Sequence, residues 1–153
     1  MMLVLSSCIT SDGLSKSERR NLLSSQVAQS LSNRHFTIDV STAHPTGYPS
    51  VILQSQFSLT VEGDTLKSYL PYFGTAHFAV PYGGGNPLHF TSTITEYEET
   101  LLKPGEHLIK LTTYNNDDKY IFSIDVFDNG RATVNVLFYN RSNISFNGEM
   151  NFE

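Results

Sequence analysis

The sequence predicts a mainly β protein, an antiparallel meander curled into a strongly curved or barrel-like sheet with one N-terminal helix; a two-sheet β-sandwich is the alternative. Three observations carry this. Apolar residues recur at every second position in successive runs from Phe36 onward. Clusters of turn-forming residues separate those runs. All 10 Phe and 8 Tyr fall between Phe36 and Phe152, so the first 35 positions hold no aromatic side chain. Alternation means one buried and one wet face, which is the antiparallel pattern. The turns follow one another too closely for crossover helices, and a meander must close or cover its ends to protect its edges.

The helix comes first. Ser15-Lys16-Ser17-Glu18 has the spacing of a capping box. Leu23, Val27 and Leu31 then recur at i, i+4 and i+8, with Leu22 and Ala28 beside them, a narrow apolar stripe on a polar helix. The spacing predicts a helix over 15–32 that lies on the body through this stripe, with Lys16, Arg19 and Arg20 on its solvated face.

The β-body is expected over 34–153. Its alternating runs are Phe36, Ile38, Val40; Phe57, Leu59, Val61; Leu88, Phe90, Ser92, Ile94; and Ile109, Leu111. They continue as Tyr120, Phe122, Ile124, Val126; Ala132, Val134, Val136, Phe138; and Ile144, Phe146. Turns are read at Glu62-Gly63-Asp64, Asn115-Asn116-Asp117-Asp118, Asp128-Asn129-Gly130 and Asn140-Arg141-Ser142-Asn143. Asn129-Gly130 is the strongest, because both residues tolerate the positive φ that matches a hairpin's twist. Arg141 is assigned the structural task of bonding loop carbonyls.

With 153 residues, against about 100–200 per domain, the chain is read as one domain over 15–153, preceded by a tether over 1–14. Its 10 basic and 15 acidic residues give a net charge of −5. There is no basic stripe to displace counterions from phosphates, so no nucleic-acid partner is expected. No apolar run approaches the length that crosses a bilayer.

The one cysteine is informative by position. Leu5-Ser6-Ser7-Cys8 resembles the end of a bacterial lipoprotein signal peptide, where small residues precede the cleaved bond and the thiol carries a diacylglycerol. The basic n-region and most of the apolar h-region of a full signal are missing. Cys8 is therefore read as a lipidation site, the alternative being an ordinary thiol in a frayed terminus.

Val61-Glu62-Gly63-Asp64-Thr65-Leu66-Lys67-Ser68-Tyr69-Leu70-Pro71-Tyr72-Phe73-Gly74-Thr75-Ala76-His77 resembles the signature of the DUF4251 family. Phe36-Thr37-Ile38, Ala43-His44-Pro45, Tyr82-Gly83-Gly84-Gly85, Tyr120 through Ala132, and Arg141 before Ile144-Ser145-Phe146-Asn147-Gly148 follow in the same order. The likeness runs from about Phe36 to Phe146. Thr75 and His77 stand where the family more often carries Arg and Tyr. The resemblance implies an uncharacterised envelope or lipoprotein-like protein of Bacteroidetes and transfers no activity.

The segment Tyr69-Leu70-Pro71-Tyr72-Phe73-Gly74 packs three aromatics around a fixed φ and a free glycine. Its structural reading is a bent strand with core rings. Its functional reading is the aromatic wall of a ligand pocket, formed by Tyr69, Tyr72, Phe73, Phe78 and Tyr82 with His77 as a polar contact. Gly83-Gly84-Gly85 lacks the Gly-Lys-Ser/Thr ending of a P-loop. The five histidines, His35, His44, His77, His89 and His107, show no i, i+4 pair, so no metal and no cofactor is assigned. No Gly-x-Ser-x-Gly elbow occurs, and Glu96, Glu98 and Glu99 read as a solvated strand end rather than paired catalytic carboxylates.

The sequence thus points to a non-enzymatic β-domain of the cell envelope, periplasmic or tethered to the outer membrane. Its partner would be a small apolar or amphipathic ligand or an envelope protein, with membrane contact only through lipid on Cys8. The alternatives are an enzyme of unrecognised type using His77 and nearby tyrosines, and a structural envelope protein.

Overall fold

A computed structural model of the chain describes residues 15–72, 88–115, 118–138 and 141–152. Helix α1 spans Lys16–Ser32. Ser15 caps it in an extended conformation, its hydroxyl accepting the Glu18 amide at 3.2 Å, which satisfies one of the free N–H groups of the first turn. The apolar stripe delivers Val27 and Leu31 to the core, both fully buried, while Lys16, Arg19 and Arg20 are exposed. The helix stops at Asn33. Arg34 then adopts a left-handed φ of 50°, turning the chain sharply into the first strand.

Eight strands follow: β1 (His35–Pro45), β2 (Val51–Glu62), β3 (Thr65–Tyr69), β4 (His89–Lys103), β5 (Glu106–Asn115), β6 (Asp118–Phe127), β7 (Arg131–Phe138) and β8 (Ile144–Asn151). Each pairs antiparallel with its sequence neighbour, and β8 pairs antiparallel with β1, which closes the ring. The curved-sheet expectation is met by a closed barrel, not a sandwich. Two elements differ from the sequence reading. β3 is an additional short strand, and β4 runs on to Lys103, nine residues beyond Ile94, the last residue of its alternating run.

Alternation decides which side chains fill the barrel. On β6, Tyr120, Phe122, Ile124 and Val126 are buried in turn; on β7, Ala132, Val134 and Val136; on β8, Ile144, Phe146 and Met150. With Ile38, Leu59, Leu66, Ile109 and Leu111 from the other strands they form one continuous core. An eight-stranded barrel is just wide enough to be filled this way. The backbones of β8 and β1 approach closely at Gly148, where an added Cβ would lie 2.8 Å from the Val40 Cα. A bulge between Val40 and Thr42 breaks the register with both β2 and β8 there.

A meander sends alternate connections to opposite ends. The helix end carries α1 and the turns at Gly63, Gly105 and Gly130, whose φ values of 61°, 87° and 86° only glycine adopts freely. The loop end carries the 46–50 turn, the long 70–88 connection between β3 and β4, and the β5–β6 and β7–β8 connections.

Candidate functional site

The loop end gathers aromatic rings from four places in the chain. Phe90 stands near the start of β4, Tyr120 near the start of β6 and Phe138 at the end of β7. Tyr72 enters just after β3, where Leu70 and Pro71 are buried. Tyr72 packs edge-on against Phe138 at 5.2 Å, Phe138 against Tyr120 at 5.1 Å, and Tyr120 against Phe90 at 5.1 Å. Phe90 then meets the core residue Phe122 at 6.4 Å. The rings make an unbroken path from the loop end to the middle of the barrel, in the tilted and edge-on geometries that aromatic quadrupoles favour.

A cation lies beside them. The Arg141 guanidinium sits 6.0 Å from the Tyr72 ring centroid. Its Nε is buried and has no hydrogen-bond partner, and Arg141 forms no ion pair with a described carboxylate. The Tyr72 hydroxyl donates to the Ser142 carbonyl at 2.9 Å. Burial raises the Tyr72 phenol above its ordinary value, with Arg141 and the Ser142 bond opposing. Burial likewise raises Tyr120, opposed by its bond to the Asn115 side chain and by Arg141, with Asp118 adding to the rise. Both phenols are therefore neutral donors at physiological pH.

Of the residues singled out from the sequence, Tyr69 and Tyr72 are described, and they belong to different groups. Tyr69 is on the exposed side of β3, stacked on Phe57 at 5.3 Å and edge-on to His89 at 4.7 Å. Tyr72 is half-buried at the loop end. Phe73, His77, Phe78 and Tyr82 lie outside the described residues, as do Cys8 and Gly83-Gly84-Gly85. Sequence reasoning did not connect Arg141 with this region. The signal was available: in a meander, connections an even number of steps apart share an end, so counting β3 as a strand puts the β7–β8 turn beside the 70–88 connection.

Three other polar clusters bear on chemistry. At the helix end Arg34 lies 4.2 Å over the Tyr97 ring and reaches Asp64 at 3.4 Å, while Tyr97 Oη donates to the Leu31 carbonyl. His107 stands between Glu99 at 3.5 Å and Asp128 at 3.6 Å. Across the β1–β8 seam, Ser50 Oγ meets His44 Nδ1 at 2.7 Å and Asn147 Nδ2 meets His44 Nε2 at 3.0 Å. Thr133 donates to Asn147 Oδ1 at 3.4 Å, so the imidazole is held in a chain of polar side chains. Among the described residues no group of His, Cys, Asp and Glu is gathered to hold a metal. Two open grooves lie on the outer wall, one of about 810 Å³ reaching from Asp39 to Phe152 and one of about 750 Å³ over Glu96, Lys110 and Leu137.

Comparison with known proteins places the fold. The chain is similar to a crystal structure of a DUF4251 family protein from Bacteroides eggerthii DSM 20697, with a TM-score of 0.66 over 84% of this chain and 87% of that chain. At 11% identity that likeness speaks for the fold alone. No curated protein matches the chain. The family model described as Domain of unknown function (DUF4251) matches residues 18–150, and the chain belongs to that family.

Proposed function

We propose that this chain is a non-enzymatic binding domain of the cell envelope, one domain over 15–153 tethered through lipid on Cys8, which takes a small amphipathic molecule at the loop end of its barrel. One observation carries the reading: a path of rings, Tyr72, Phe138, Tyr120 and Phe90, leads from that end to the core beside a guanidinium whose Nε has no partner. Apolar walls with a few placed polar groups are the usual make-up of a small-molecule site. The packed interior below Phe122 and Phe146 confines the ligand to the end of the barrel. Among the described residues the polar clusters elsewhere pair with one another, Arg34 with Asp64, His107 with Glu99 and Asp128, and His44 with Ser50 and Asn147.

Two further observations support the envelope placement and the limited membrane contact. Leu5-Ser6-Ser7-Cys8 has the small residues and thiol of a lipidation site. The barrel is apolar inside, and residues such as Lys67, Glu96, Glu98, Lys110 and Arg131 are exposed on its wall, the inverse of a barrel that spans a membrane by its strands. The direct test is native mass spectrometry of the protein released gently from its host, beside a Tyr72→Ala variant. A retained small molecule in the wild type that the variant lacks is expected. Retention by both at equal level would move the site away from the loop end.

A further inference from the structure

We propose that the groove across β7, β8 and β1 binds a neutral oligosaccharide on the outer wall of the barrel, at a site separate from the loop end. The groove encloses about 810 Å³, inside the range of about 300–1,000 Å³ for small-molecule sites. It is open to solvent, since Arg131, Asn147, Glu149 and Phe152 along it are exposed. Its shape comes from β1 and β8. Val40 pairs with Gly148 and Thr42 with Asn147, so β1 carries an extra residue, Ser41, against β8. Such a bulge bends its strand and re-aims the side chains beside it. Gly148, with no Cβ, lets the two backbones meet at that point. Val40, Ser41 and Gly148 all line the groove.

The charges along the wall choose the ligand. Arg131 faces Glu149 in register, and Glu149 faces Asp39, so one guanidinium and two carboxylates stand in a row across three strands. Among the described residues no ion pair joins Arg131 to Glu149. A cationic ligand would meet Arg131, an anionic one would meet both carboxylates, and an apolar one would strip water from all three and return nothing. Hydroxyl groups suit every member of the row, because each hydroxyl both donates and accepts. Asn151 donates to Asp39 Oδ2 at 2.9 Å, which holds that carboxylate in place at the groove. An extended peptide fits poorly for a different reason: in the closed ring β1, β7 and β8 are paired on both sides, with no bare edge for strand addition. Toward one end Phe127 is half-buried and Phe152 is 40% exposed. The electron-rich faces of such rings attract the polarised C–H groups of a pyranose.

The test is a ¹⁵N NMR titration with maltohexaose, cellohexaose and xylohexaose, and with spermidine as a cationic probe, on the wild type, Glu149→Gln, Phe152→Ala and Lys110→Gln. At least one hexasaccharide is expected to bind the wild type at millimolar concentration or below, with shifts at Arg131, Asn147, Glu149 and Phe152. Binding should be the same at low and high salt, because the ligand carries no charge to screen. Glu149→Gln and Phe152→Ala should each weaken it about tenfold, and Lys110→Gln, which alters the second groove, should leave it unchanged. Glu149 and Phe152 are both exposed, and either variant decides the matter if the other does not fold. No shift at these four residues with any hexasaccharide at millimolar concentration overturns the proposal. So does tighter binding of spermidine than of every hexasaccharide, which would make the groove an acidic patch only, or hexasaccharide binding that both variants leave intact. Shifts confined to Tyr72 and Phe138 would put the sugar at the loop end and likewise overturn the groove, while the loop-end reading stands.

Discussion

The two ends of the barrel use the same parts differently. At the helix end a tyrosine, Tyr97, is covered by an arginine at 4.2 Å, the arginine holds a carboxylate, and the phenol reaches the Leu31 carbonyl. Val27 and Leu31 complete the seal. At the loop end Tyr72 is approached by an arginine at 6.0 Å, the phenol reaches the Ser142 carbonyl, and a guanidinium nitrogen is left over. The first arrangement is complete within the chain. The second is complete except for one acceptor, and that difference separates a structural end from a candidate site.

The largest expected effect tests whether the ends differ in packing. Leu31→Ala removes a fully buried side chain and should cost about 2–5 kcal/mol in urea unfolding. Tyr72→Ala, at a half-buried ring, should cost about 1–2 kcal/mol, within the ordinary range for single changes. Equal losses would make the loop end core like the other and break the comparison. Tyr72→Phe isolates the bond to Ser142 and should cost about 1 kcal/mol.

Alkaline pH sharpens it next. Burial pushes Tyr97 from 10.0 up to about 12, with Glu99 adding and Arg34 opposing. The folded state thus holds this proton more tightly than the unfolded chain. Its contribution is complete below pH 10.0 and is lost as pH climbs toward about 12. Stability measured across that window should fall with pH, and Tyr97→Phe should flatten the fall. An unchanged slope in the variant would assign the loss to other tyrosines.

The smallest effects concern the two arginines. The Arg34–Asp64 pair is solvent-exposed, with the Asp64 side chain 77% accessible, so Arg34→Gln should cost about 0–1 kcal/mol. Arg141→Gln removes the unpartnered Nε together with the bond of Arg141 to the Tyr120 hydroxyl, so two opposing effects should leave a net change within about 1 kcal/mol in thermal melts. A loss clearly larger than that of Arg34→Gln would mean that the Tyr120 bond outweighs the unpartnered Nε.

The parts of this fold that repeat locally were legible. Leu23, Val27 and Leu31 announce the helix, period-two runs announce the strands, and Asn129-Gly130 forms the β6–β7 turn with Gly130 at φ 86°. β3 escaped because its Thr65–Tyr69 stretch is five residues long and runs directly into Leu70-Pro71, which reads as a bend. β4 escaped beyond Ile94 because the register shifts between Ile94 and Glu96 and the residues from Glu98 to Lys103 are all exposed; with no buried face there is no period. Tyr72 was singled out from its aromatic neighbourhood. Its real partners were not, because the contact that fixes it, to Ser142, spans 70 positions, and nothing in a polar turn such as Asn140-Arg141-Ser142-Asn143 marks its arginine as half-buried.

The β1–β8 pairing also sets a timetable. Thr37 is matched with Asn151, so the ring closes over 151 − 37 = 114 positions of chain. Neighbouring hairpins form from local contacts, while this seam waits for the last strand and bears the entropy of the longest loop. Folding should therefore proceed in milliseconds to seconds rather than microseconds, with closure as its slow step. A nascent or truncated chain lacking 144–151 would present β1 and β7 as two bare edges, the geometry that recruits other strands. During synthesis, then, the final eight residues of the sheet protect all the rest.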